Sequence, residues 1–198
     1  MSTPELPLST VTAILGRAFG IGQPKTIMRQ VRHWTVTGLL QPAKKSPGTG
    51  RSRQYPIYQV HKAAVLVELA RYGMTVGLSE SVAEWFDHLH ELRHPLLELA
   101  ASGRCRVYLK VMGLTQDIDF LGSIFVHDDD MKIAEAAQPE SARLLFHPVS
   151  KALLQGSLAQ PAFGQYGVFS ALWIDLTQLL TKVEGAYEQL SASQRTHT

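Results

Sequence analysis

The stretch Gly20-Ile21-Gly22-Gln23-Pro24 separates two segments of helical periodicity and constrains the N-terminal part of the chain more than any other feature. Before it, Val11, Ile14, Leu15, Ala18 and Phe19 recur on one face of a helix, with Ser9 placed as its cap. After it, Pro24 suits the first turn of a second helix, because the N–H it lacks has no intrahelical partner there. That second helix is expected over residues 24–37, stopping at Gly38, a residue at ease in the left-handed conformation that ends helices. Its apolar stripe is Ile27, Val31 and Trp34, and Lys25, Arg29 and Arg32 fall on another side with Gln30 and His33 nearby. Helix, short glycine-containing turn and helix is the outline of a helix-turn-helix.

Charge is divided unevenly along the chain. The formal net charge is only +2, yet residues 1–78 hold ten Lys and Arg against Glu5 and Glu68, a balance of +8. The remaining 120 residues carry nine bases and fifteen acids. Such a division points to a polyanion met by the first half alone. No acid occurs between residues 24 and 37, whereas an ordinary exposed helix mixes both signs. A helix with an apolar back and a basic front suits the major groove of duplex DNA, where Arg and Gln also reach base edges.

The segment Lys44-Lys45-Ser46-Pro47-Gly48-Thr49-Gly50-Arg51-Ser52-Arg53 admits two readings. A phosphate-binding loop of an NTPase needs G-x-x-x-x-G-K-[ST] between a strand and a helix. Here Lys45 stands at the first glycine, Arg51 at the lysine, and the segment follows a helix, so residues 47–52 do not meet that pattern. The second reading is a turn joining two short strands, with Lys44, Lys45, Arg51 and Arg53 laid along DNA phosphates.

Farther on, Ile57, Val60, Ala64, Val65, Leu66, Leu69 and Tyr72 mark a third helix ending at Gly73. Ser81-Val82-Ala83-Glu84 has the form of a capping box opening a fourth, with Val82, Trp85, Phe86, Leu89 and Leu92 as its stripe. His94-Pro95 ends or kinks that helix, and Leu96 to Ala101 continue as further helical turns. From Gly103 the period shortens to that of strands, expected at 106–111, 118–126, 143–147 and 168–174. Asp128-Asp129-Asp130 reads as an acidic turn, residues 131–137 as a short helix, and Asp175 as the cap of a final helix.

The expected fold class is α+β. A mostly helical N-terminal domain with a β-hairpin occupies residues 1–78, a helical connector 79–102 and a small α+β domain 103–198. The apolar faces at Trp85, Phe86 and Leu89, or at Leu179, Val183 and Tyr187, are either core or a seam between two copies of the chain.

Other clusters carry less. His90 and His94 share a helical face, but zinc needs three or four ligands. His127-Asp128-Asp129-Asp130 lacks the alternating ligands and glycine of a calcium loop. Cys105 stands alone, without a supporting His or acid, and excludes an internal disulfide. No Ser-His-Asp or paired-carboxylate signature occurs, so no enzyme, no cofactor and no metal site are expected. No apolar run is long enough for a membrane helix and no signal pattern opens the chain, which predicts a cytosolic protein.

Residues 8–90 resemble the DNA-binding domain of the MerR family. The likeness rests on Arg32-His33-Trp34-Thr35-Val36-Thr37-Gly38-Leu39-Leu40 with Pro42 following, on Arg53-Gln54-Tyr55, and on Leu69-Ala70-Arg71-Tyr72-Gly73-Met74. The wing is longer than the family's by Pro47-Gly48-Thr49-Gly50, and Pro95 interrupts the stretch where family members continue as a long coiled-coil helix. The resemblance implies a winged helix-turn-helix that binds double-stranded DNA and regulates transcription as a homodimer. By the same resemblance Arg32, Arg53 and Tyr55 hold the DNA backbone, and the start of the second helix, with Lys25, Thr26 and Arg29, reads bases. A C-terminal domain that senses a small-molecule effector and so controls DNA binding is the alternative.

Overall fold

Helix α1 (Leu8–Phe19) starts one residue before the expected cap and has no side-chain cap; Pro7, in extended conformation, precedes it. Ser9 therefore lies inside the helix, and the hydroxyl of Thr12 donates instead to the Leu8 carbonyl at 2.7 Å. Glycine closes α1: Gly20 has φ 63°, a conformation that costs a residue with a Cβ, and Ile21 N–H returns to the Gly16 carbonyl at 2.9 Å. Helix α2 (Pro24–Val36) follows with Pro24 in its first turn, then Gly38 at φ 86°.

The computed structural model describes residues 4–43, 53–73, 76–91, 95–113, 121–137, 146–149, 163–164, 167–168 and 170–195. The mixed α+β class is present as expected. The chain divides into two units, one of Met1–Tyr72 with Lys182–Thr198 and the other of Gly73–Thr181. This division departs from boundaries at 78 and 102, and it splits the last helix.

In the first unit, strand β1 (Glu5–Pro7) lies antiparallel to β2 (Gln54–Pro56). Leu6 stands opposite Tyr55, and both are buried. Helix α3 (Ile57–Arg71) supplies the centre of this unit, with Val60, Ala63, Ala64, Val65, Leu66, Val67 and Leu69 buried on nearly all sides. Burial this complete explains why α3 shows little amphipathic contrast.

In the second unit, α4 (Val76–Glu91) begins five residues before Ser81. Ser79, Val82, Ala83 and Phe86 are buried at positions i, i+3, i+4 and i+7, so the stripe opens on a serine that an apolar count passes over. Helix α5 (Pro95–Ala101) leads to β3 (Val107–Gly113) and β4 (Leu121–His127). A 3-10 turn (Asp128–Asp130) and α6 (Met131–Ala137) follow, then β5 (Phe146–Val149). Two short strands, β6 (Phe163–Gly164) and β7 (Gly167–Val168), pair with each other before β8 (Ser170–Asp175) and the final helix α7 (Leu176–Arg195).

The main sheet has the order β5-β4-β3-β8, with β4 and β5 parallel and the other pairs antiparallel. One face buries Val107, Leu109, Val111, Ile124, Val126 and Ile174. The acidic turn is a clamp. Asp130 accepts from Arg106 Nε at 2.7 Å and from the Arg106 backbone N–H at 2.8 Å, and Asp129 accepts from the same guanidinium at 3.0 Å. Asp175 caps α7 as expected, its Oδ1 accepting from Gln178 N–H at 2.8 Å. Thr177 then fastens the first turn of α7 to the start of β3, accepting from Val107 N–H and donating to the Cys105 carbonyl.

Phe86, Leu89 and Val183 are 1%, 4% and 0% exposed, and Leu179 only 8%. These residues belong to the core of a single chain, which settles the choice between core and seam for them. Trp85 and Tyr187 are half-buried.

Candidate nucleic-acid interface

Helix α2 is oriented by its own composition. Ile27 and Val31 are 0% exposed and Trp34 is 7% exposed, so one stripe is wholly committed to the core. At about 100° per residue, Lys25, Arg29, Arg32 and Val36 fall roughly opposite that stripe. All four are exposed, as are Thr26 and His33 at the border of the same face. Lys25, Arg29 and Arg32 have no side-chain ion pair or hydrogen bond among the described residues. The result is a cationic surface one helix wide, set against solvent.

The first unit as a whole retains that sign. Lys182–Thr198 adds two bases and two acids to the N-terminal residues, so the balance of +8 is unchanged.

Past α2 the chain is held at several points. Leu40 N–H donates to the Trp34 carbonyl at 3.0 Å, and Leu39 and Leu40 are buried. Gln41 N–H donates to Gln59 Oε1 on α3 at 2.9 Å. Ala43 N–H donates to the Gln54 carbonyl at 2.8 Å, so the two ends of the basic segment meet. Lys44, Lys45 and Arg51, and the loop 47–52, lie outside the described residues. Arg53 is described and exposed.

Tyr55 requires a correction. It is 1% exposed, on the strand paired with β1, and its hydroxyl lies 2.9 Å from Thr35 Oγ1. A ring enclosed in this way is not a surface contact for a phosphate. Its part is to hold β2 against α2. Local sequence could not reveal this, because Tyr55 and Thr35 are 20 residues apart. Val36, 76% exposed, lies on the cationic face although sequence reading did not place it there. Its offset from the Ile27-Val31-Trp34 stripe is the signal that places it on the cationic face.

Elsewhere, His88 and His90 are exposed on α4, and His94 lies outside the described residues. No group of three metal-ligating side chains stands together among the described residues. Cys105 is buried, and burial, then the Asp130 carboxylate, pushes its thiol up to about 11. No described helix is long and apolar enough to cross a membrane. No protein-family model matches this chain, and no curated protein matches it.

Proposed function

We propose that the protein is a sequence-specific regulator of transcription that binds double-stranded DNA through a MerR-like winged helix-turn-helix and acts as a homodimer. The observation that carries this reading is the cationic face of α2, opposite its buried stripe, whose Lys25, Arg29 and Arg32 have no side-chain partner among the described residues. A single helix fits the major groove, where Arg29 and Arg32 donate to phosphates or guanine edges and Thr26 approaches a base. Lys44, Lys45, Arg51 and Arg53 lay charge along the neighbouring backbone, an arrangement favoured by the meeting of Ala43 and Gln54 at the base of that segment. One unit of this size covers little DNA, so two copies are needed for tight, specific binding.

The test is a fluorescence anisotropy titration of the whole chain against duplex DNA across a range of salt. Each phosphate contact contributes about −0.9 to the slope of log K against log salt. The expected result is a steep slope, reduced by Arg32→Ala and Arg53→Ala, with a dimer mass in analytical ultracentrifugation. Affinity flat across salt would sink the reading. Genome-wide mapping of bound sites then identifies the operator.

A further inference from the structure

A groove in the second unit is unused by the nucleic-acid reading. Lined by Leu99 of α5, Arg104 in the turn after it, and Lys132, Ile133, Ala136 and Ala137 of α6, it has a volume of about 390 Å³. That falls within the range of small-molecule sites, roughly 300–1,000 Å³. Leu99 is buried and Ile133 is 40% exposed. On α6, Ile133 and Ala137 stand four residues apart, as do Lys132 and Ala136, so an apolar ridge runs beside one that begins with a cation. Gly103, at φ 69°, turns the chain so that Arg104 N–H returns to the Leu99 carbonyl at 2.9 Å, which places Arg104 at the groove.

The charges are the informative part. Arg106 is clamped by Asp129 and Asp130, but neither Arg104 nor Lys132 has a side-chain ion pair or hydrogen bond among the described residues. Among the described residues, no acid lines the groove. Acids outnumber bases fifteen to nine after residue 78, so two unpaired cations beside one apolar groove reverse the local trend. A cationic ligand has no counter-charge among the described lining residues. A polyphosphate or nucleic-acid strand has no use for the floor of Leu99, Ile133 and Ala137. Both features are satisfied together by an anion with an apolar body.

We propose that this groove binds a medium-chain acyl carboxylate, its head on Arg104 and Lys132 and its chain along Leu99, Ile133, Ala136 and Ala137. A charge-assisted hydrogen bond to guanidinium fixes the head, and the chain loses water against the floor. The inference draws on the second unit alone and is independent of DNA binding.

Decanoate is the probe, titrated by calorimetry into the whole chain below its micelle-forming concentration. Decanol carries the chain without the charge, and acetate the charge without the chain. Saturable binding of decanoate is expected, at least about tenfold tighter than either control, a difference of about 1.4 kcal/mol. Replacing both cations (Arg104→Ala with Lys132→Ala) is expected to weaken decanoate about tenfold and leave decanol unchanged. Ala136→Trp, which fills the groove at an exposed position, is expected to abolish binding. Absence of saturable decanoate binding, indifference to these variants, or equal affinity for decanol overturns the proposal. None of these measurements involves DNA, so their failure and the failure of the DNA reading are separately visible.

Discussion

The hydroxyl of Tyr55 lies 2.9 Å from Thr35 Oγ1, joining the short strand β2 to the exposed helix α2. The Thr35 hydroxyl donates its one proton to the Val31 carbonyl at 2.7 Å, so Tyr55 is the donor to Thr35. This pair ties the strand that leaves the basic segment to the helix that carries the cationic face.

Tyr55→Phe keeps the ring and removes only that donor. The net value of such a bond is about 1 kcal/mol, and the variant is expected to lose roughly that much stability in urea unfolding. An unchanged midpoint would mean that ring packing alone holds the strand.

The two faces of α2 separate by mutation. Ile27→Ala leaves a cavity at a fully buried site and is expected to cost about 3 kcal/mol. Arg29→Ala, at an exposed residue without a side-chain partner among the described residues, is expected to change stability by no more than about 0.5 kcal/mol while weakening duplex binding. Parallel denaturation and anisotropy measurements decide it; a large stability loss in Arg29→Ala contradicts the assignment of that face.

Asp130 makes a pH-dependent contribution. Its hydrogen bond to the Arg106 side chain, the largest influence, holds its carboxyl below the usual range, and burial opposes this in part. A carboxyl lowered in the folded state stabilises above its unfolded value, about 3.9, and the contribution disappears as pH falls through the folded value. Arg106→Met is therefore expected to show a melting-temperature deficit that is full at pH 7 and shrinks below about pH 4. A deficit constant down to pH 2 would assign the effect to lost packing of the arginine stem.

Cys105 is 1% exposed, with its thiol raised to about 11. At pH 8 the folded protein is expected to resist Ellman's reagent, which titrates one thiol per chain once denaturant is added. Rapid labelling of the folded chain would show that the site opens.

Much of the helical layout was legible because its causes are local. Pro24 and Gly38 mark the ends of α2 through the donor one lacks and the φ the other tolerates. Asp175 reaches an N–H three residues ahead, so its capping role needs no tertiary contact. The cationic face was visible for the same reason, since helical spacing alone separates Arg29 and Arg32 from Ile27, Val31 and Trp34. The start of α4 was missed because a polar residue takes an apolar role there. Ser79 opens the buried stripe of α4, and Ser81 imitated a cap inside the helix.

The amino-acid order by itself determined the α+β class, the limits of α2, the cap of α7 and the basic character of the first unit. Each follows from steric, capping or charge rules acting over a few residues. Only the tertiary structure decided that Glu5–Pro7 is a strand, that Tyr55 turns inward to Thr35, and that Arg106 takes the carboxylates of Asp129 and Asp130. It also decided that residues from Lys182 onward join the first unit, where Glu184 meets His61 at 2.7 Å. Those pairings join residues from 20 to more than 120 positions apart, and their partners are chosen by which polar groups the packed chain brings within hydrogen-bonding reach.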